Sequence, residues 1–566
     1  MKKQSILLYL ELNLGSSSAE RFAPPRYKPD NELETLRVLY RASKDKKIKG
    51  ILVNTSGFQG DRTYIWELQK ALLDCKNSGK KIAGYFDNAD LDLYCLLSVS
   101  DKIIMDSSGV LSFLGYSWGR FFAKETLDKL GVGFRELRYL DYKSANETFS
   151  RTSISKADRE QYGKYLDEIF DHTKNTIINN PSPRINEESF NALLKEGIML
   201  SAAEAKARGL IDDHGRCETI EKTIKLMEFG ESAAGPDHKT RSGDIVFIPA
   251  GNPACSLFSV SRKAPVYAPG RSGFMAKEIA VVHARGNTDL DQGMGARNIA
   301  KIIRQLADKP RVKALVVRIN SPGGSAVAAD FISEAILEVK EDIPVVVSLG
   351  QVAASGGYWA AMNASRIITT PYTLTGSIGV IGGWFFDKGL NTKLGLGFEA
   401  ITRGEHADLV TGIILPRRDL DEEEEKMFRR CILDLYDEFI KKAAKGRNMK
   451  EEDMEALARG RVYSGISARE LGLTDSLGGY LEALETAKEL AGIPPGKKIR
   501  VREYPKPRFL ETLTARLFNS AIAGSQAAAL NFFTTGNTLK AQQTLEDLRF
   551  RLSKNGQALP ILPLSL

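Results

Sequence analysis

The sequence predicts an α/β protein built from two tandem copies of one domain. Three observations point there: an ungapped internal repeat, β-branched runs alternating with helical periodicity inside each copy, and an ordinary globular composition. The 566 residues carry 79 basic and 71 acidic side chains, a net charge of +8, with 43% hydrophobic and 27% charged residues. Such a length suits three or four domains or two large α/β ones, and the composition excludes a polytopic membrane protein and a disordered chain. The basic excess is diluted among nearly as many acids. Nucleic acid is therefore not an expected partner, and a membrane surface is the only anionic partner left in view.

The repeat sets the organisation. Lys47-Ile48-Lys49-Gly50-Ile51-Leu52-Val53 aligns with Arg311-Val312-Lys313-Ala314-Leu315-Val316-Val317 at an offset of 264 residues. The same offset places Gly60 on Gly324, Tyr94 on Tyr358, Ile103-Ile104 on Ile367-Ile368, Gly115 on Gly379 and Lys129-Leu130-Gly131 on Lys393-Leu394-Gly395. Farther on, Ala205 to Gly215 matches Ala468 to Gly478 at an offset of 263. Chance similarity would need gaps to hold such a register.

Taken in order, Ile6 to Leu10 reads as a first strand, because Glu11 cuts the apolar run too short for a signal-peptide core or a bilayer span. In the second copy Ala314 to Ile319 is a β-branched run suited to a buried parallel strand. Pro322-Gly323-Gly324-Ser325 turns the chain, and Val327, Ala328, Phe331, Ile332, Ala335, Ile336 and Val339 follow at helical spacing. Pro344 to Val347 is the next strand, with another crossover starting near Ala353. Strand, helix, strand with short links implies right-handed parallel units. The expected division is a first repeat at 1–216, a linker at 217–277, a second repeat at 278–493 and an extension at 494–566. The linker holds Gly235-Pro236 and Pro269-Gly270, with one candidate strand at Ile245 to Ile248. The extension reads as a strand and an amphipathic helix. Its apolar stretch Ser520 to Phe533 is broken by Gly524, Ser525 and Gln526 and is not expected to span a membrane. Asp419 to Glu425 reads as a solvated helix start. The five cysteines form no CxxC and the five histidines no HExxH, so no disulfide framework, metal or other cofactor is expected.

Two Gly-Gly signals carry the chemistry. Gly323-Gly324 stands where a strand gives way to a helix, a place where free backbone N–H groups can hold a developing oxyanion. A tight turn is the plain alternative. Val352-Ala353-Ala354-Ser355-Gly356-Gly357-Tyr358 sets a serine after a strand at the start of a helix, a position for an exposed nucleophile or for an ordinary N-cap. No histidine has the context of a Ser-His-Asp triad. A lysine serves as a base if desolvation lowers its pKa. The repeat singles one out. Leu91 stands opposite Ser355, and Ala407 stands opposite Lys143 of Tyr142-Lys143-Ser144-Ala145. One copy keeps the serine and the other the lysine, as a site shared between duplicated domains would.

These residues resemble signal peptide peptidase A of the long two-domain type, within the Clp protease/crotonase fold. The marks are Tyr142-Lys143-Ser144-Ala145, Asn320-Ser321-Pro322-Gly323-Gly324, Ala353-Ala354-Ser355-Gly356-Gly357-Tyr358-Trp359 and Leu374-Thr375-Gly376-Ser377-Ile378-Gly379, and the resemblance covers roughly residues 1–493. It implies two tandem Clp protease/crotonase-like repeats joined by a linker, and a Ser/Lys-dyad serine endopeptidase acting on cleaved signal peptides through an acyl-enzyme. On that basis Ser355 matches the nucleophile, Lys143 the general base and acid, and Ser377 a serine that orients the lysine. Gly324 and Gly356 match oxyanion donors. The resemblance also implies a homotetramer associated with the bacterial inner membrane. An N-terminal anchor, frequent in long relatives, is not evident ahead of the first strand. The rival expectations are a crotonase-like acyl-CoA enzyme and a non-catalytic membrane-associated scaffold.

Overall fold

The computed structural model describes residues 7–15, 31–196, 199–230, 245–251, 257, 276–495, 497 and 499–505. Cys255, His238, the turns at 235–236 and 269–270, the stretch 520–533 and the helix expected in the extension lie outside these residues. No described helix is long and apolar enough to cross a membrane.

Each repeat is built on a mostly parallel sheet. In the first, the strands lie in the order Met199–Ser201, Lys102–Ser112, Lys81–Ala89, Ile48–Asn54, Leu7–Asn13, Ile245–Gly251. In the second, the order is Val462–Ser464, Leu374–Gly376, Val345–Ala354, Val312–Ser321, Glu278–Arg285, Arg500–Tyr504, and Arg366–Thr369 also pairs with Val345–Ala354. The offset of 264 read from the sequence carries Ile48 onto Val312, Lys81 onto Val345 and Lys102 onto Arg366, the first residues of equivalent strands. Leu315, Val316 and Val317 are all fully buried, as β-branched runs must be when helices cover both faces.

Both repeats close in the same way. Ile245–Gly251 adds in parallel to Leu7–Asn13, and Arg500–Tyr504 adds in parallel to Glu278–Arg285. The strand expected at Ile245 is present, and the segment expected to be a linker begins with a helix, Cys217–Phe229. That helix stands where Tyr480–Leu490 stands in the second repeat. The Gly/Pro-bearing sequence that follows hid its periodicity.

Two side-chain expectations change. Helix Ala326–Val339 forms, but it buries Ala328, Ala329, Ile332, Ala335, Ile336 and Val339 and leaves Val327 and Phe331 exposed. The acidic run does start a helix, Glu422–Arg447, with Asp421 as N-cap. Glu424 is not solvated, however: it is fully buried, and both its oxygens accept from Arg418 at 2.7 and 2.8 Å. These bonds hold its carboxyl down at about 2, against the usual carboxylate range.

Among the contacts that join the repeats, two groups stand on opposite sides of the seam. Strand Val132–Leu137 of the first pairs antiparallel with Gly382–Asp387 of the second, Phe134 facing Phe385. Asn146 Nδ2 crosses to the Gly382 carbonyl at 2.8 Å, and Arg135 reaches Asp419 and Glu425. On the other side, Glu67 of helix Arg62–Asn77 accepts from Arg318 at 2.9 Å and from the Tyr480 N–H at 3.0 Å, and the guanidinium lies over the Tyr480 ring. Burial pushes the Glu67 carboxyl up to about 7 even beside Arg318. Arg318→Met strands that carboxylate and is expected to cost about 3 kcal/mol in urea unfolding. A loss of under about 1 kcal/mol would contradict a structural role for the pair.

Candidate active site

Strand Val345–Ala354 ends at Ser355, whose N–H donates to the Gly376 carbonyl at 2.8 Å. Helix Gly356–Ala361 follows. Ser355 has φ +58 and makes no side-chain capping bond, so the N-cap alternative does not apply. A non-glycine residue in the left-handed region costs of order 1–3 kcal/mol and persists only where its surroundings enforce it. Ser377, just past strand Leu374–Gly376, is held at φ +52. In the first repeat the equivalent turn is relaxed: Asp90 caps helix Leu91–Leu97 by accepting from the Leu93 N–H, and Leu91 is buried core.

The inter-repeat strand pair delivers Lys143 to this turn. Its Nζ lies 2.6 Å from Ser355 Oγ, 2.9 Å from Ser377 Oγ and 2.7 Å from the Ser377 carbonyl oxygen. All three residues are at most 1% exposed. Burial holds the Lys143 amine well below its ordinary 10.5, since no water remains to solvate an ammonium ion. Behind it, Arg120 donates to the Ser144 carbonyl and pairs with Asp158 at 3.1 Å, fixing the backbone next to the lysine.

The two predicted glycines converge beside the serine. Gly324 and Thr288 form an isolated parallel bridge, in which the Thr288 N–H donates to Gly323 and the Ser325 N–H to Thr288. A residue so bridged by its neighbours turns its own N–H away from the partner strand. The Gly356 N–H is the first of its helix, a donor left without an intrahelical acceptor. A Cβ on Gly356 would stand 3.2 Å from the Gly324 nitrogen and 2.6 Å from Thr288 Oγ1, and one on Gly324 only 2.3 Å from the Thr288 carbonyl oxygen. Only glycine fits at either place.

All five predicted site residues thus lie in one neighbourhood. Thr288 escaped sequence reasoning, since it meets Gly324 and Gly356 through tertiary contacts with no local signature; Gly376 stood in the Leu374 to Gly379 motif, but the bond its carbonyl accepts from the Ser355 N–H was not foreseen. His406, Asp421 and Glu424 also converge closely enough for a cation, but Arg418 already occupies Glu424 and bonds Asp408 as well.

The model of peptidase family S49 matches residues 74–228 and 338–494, more than half of the chain. The chain belongs to peptidase family S49. It is 30% identical to the chloroplastic serine protease SPPA of Arabidopsis thaliana, over 82% of this chain and 67% of that one. It is also 30% identical to Protease 4 of Haemophilus influenzae, over 80% of this chain and 72% of that one. A putative signal peptide peptidase SppA of Enterococcus faecium is 34% identical over 34% of this chain and 55% of its own. The S49 chain described here is accordingly a two-repeat α/β serine peptidase, and peptides are its substrates.

Depression of the Lys143 pKa has a thermodynamic signature. Between the native value and 10.5 the unfolded chain binds one more proton than the native chain, so stability rises with pH. The stability of the wild type relative to Lys143→Met is expected to climb between pH 7 and pH 10 by up to about 1.4 kcal/mol per unit. A difference that stays flat with pH would contradict a depressed amine.

Proposed function

We propose that Lys143 and Ser355 form a Ser/Lys catalytic dyad, with Ser377 orienting the amine and the Gly324 and Gly356 N–H groups forming the oxyanion hole. The 2.6 Å separation of Nζ and Oγ between two almost fully buried side chains is the observation that carries this proposal. A neutral amine has two N–H donors and one lone pair. With the donors directed at the Ser377 carbonyl and hydroxyl, the lone pair faces Ser355.

The steps follow from that geometry. Lys143 accepts the Ser355 proton as Oγ bonds to the scissile carbonyl carbon, and the carbonyl oxygen takes the charge against the two N–H groups. The ammonium then gives its proton to the leaving amine as the C–N bond breaks, leaving an ester on Ser355. Water attacks the ester with the neutral lysine as base, releasing the acid and restoring the hydroxyl. No step calls for a metal or nucleotide.

Signal peptides left after preprotein cleavage fit as substrates, in keeping with the name of the Enterococcus relative, a putative signal peptide peptidase. A homotetramer at a membrane surface, such as the bacterial inner membrane, would give cover to apolar side chains this protein exposes, among them Val327, Phe331, Ile401, Val410 and Ile414.

Ser355→Ala and Lys143→Ala are each expected to lower peptide hydrolysis by about 10⁴-fold or more, with circular dichroism and Tm retained. Wild-type turnover by either variant would refute the dyad.

A further inference from the structure

A short turn of the second repeat, Arg459 to Val462, touches both halves of the site. On one side the Ser377 N–H donates to the Arg461 carbonyl at 2.7 Å and the Gly460 N–H to the Ile378 carbonyl at 2.8 Å, while Val462 pairs with Gly376. On the other side the Tyr142 N–H, one residue before the lysine, donates to the Arg459 carbonyl at 3.1 Å. The Tyr142 carbonyl is held too. It accepts from Gln161 Nε2 at 3.1 Å, and Gln161 Oε1 accepts from the Val462 N–H at 3.0 Å. Gln161 is 3% exposed and belongs to helix Lys156–Ile178 of the first repeat, so this one amide bridges the lysine segment to the strand flanking Ser377.

The packing is as tight as the bonding. Gly460 has φ +82, and a Cβ there would stand 2.6–2.7 Å from the Lys143 Cβ, Cα and N. Only a glycine lets the turn lie flat on the lysine backbone. Arg459 is itself at φ +54, a strained position that persists in a turn whose carbonyl Tyr142 engages.

We propose that the turn Arg459–Val462, together with Gln161, is a positioning element that sets the reach of the Lys143 amine relative to Ser355 and Ser377. It rests on the dyad reading above and adds what holds the two halves in register. A lysine side chain has four rotatable bonds, and a backbone free to shift by about 1 Å would lose the near-attack geometry. Charge does not do this work. Arg120, Arg138, Glu147 and Asp158 lie behind Ser144 and pair among themselves, Asp158 also accepting from Ser144 Oγ and from Gln161 Nε2; Arg461 and Glu160 pair at the Tyr142 ring, and among the described residues Nζ bonds only Ser355 and Ser377.

The test compares full-length wild type, Gln161→Met and Gly460→Ala for peptide hydrolysis across pH, with Tm and circular dichroism in parallel. Gln161→Met removes both bridging bonds at similar side-chain volume, together with the Gln161 Nε2 donations to Ser144 Oγ at 3.2 Å and Asp158 at 3.0 Å. The expected result is a kcat lowered by about tenfold or more with KM within about twofold, the pattern of a lost transition-state arrangement. The acid limb of kcat is expected to move to higher pH, because a loosened amine gains water and its pKa climbs back toward the ordinary value. If Gly460→Ala fails to fold, Gln161→Met decides alone. Wild-type kcat and acid limb in folded Gln161→Met overturn the proposal, and so does a loss that merely tracks unfolded protein with the limb unmoved. Failure of the dyad reading itself is a separate result, seen as activity in Ser355→Ala or Lys143→Ala, neither of which alters the turn's backbone.

Discussion

The structure depends on keeping one amine dry. Lys143 reaches Ser355 only by leaving its own repeat, and burial there lowers its pKa. A buried cation without a partner is costly enough that the group gives up its proton instead. The apolar packing and hydrogen-bonded turns around it are thus part of its chemistry: a wetter pocket would hold an ammonium ion unable to accept a proton. The same packing forces Ser355 and Ser377 into left-handed backbone, strain that the rest of the sheet tolerates because its strands are buried on both faces.

Duplication explains how such a pocket arises. Two copies of one sheet, each closed by an added parallel edge strand, meet through an antiparallel strand pair and a buried Glu67–Arg318 contact. On the proposed dyad, each copy has relaxed the half it does not use. The first caps its helix with Asp90 where the second keeps a strained serine. The second has Ala407 where the first keeps its lysine, and its neighbourhood there is tied down by the Arg418, Asp408, Glu424 and His406 bonds. On the dyad proposed here, a single repeat would have half of the machinery and no buried interface in which to use it.

Much of this was legible in the residues, for definable reasons. Strand runs and the register of the repeat are local patterns, and they predicted the sheets. Complementary loss of serine and lysine is a comparison between two stretches of one chain, and it predicted their meeting. Other features were not legible. Val327 and Phe331 share the helical spacing of core residues, yet the helix turns them outward, because spacing gives a stripe and not its width. Glu424 looked like one acid of a solvated run until Arg418 folded onto it. Cys217–Phe229 lay behind a Gly/Pro-bearing stretch that read as linker. Gly460 and Gln161 matter through contacts with Tyr142 and Lys143 some 300 and 20 residues away, a separation that leaves no local motif.

The central claim is that the amine of the first repeat activates the hydroxyl of the second. The most direct measurement is the rate at which a peptidyl phosphonate modifies the protein, with the adduct mapped by mass spectrometry, in wild type and Lys143→Ala across pH. The account predicts an adduct on Ser355 alone, formed faster as pH rises and slowed by orders of magnitude without Lys143. Labelling of another residue, or equal rates in both proteins, would contradict it.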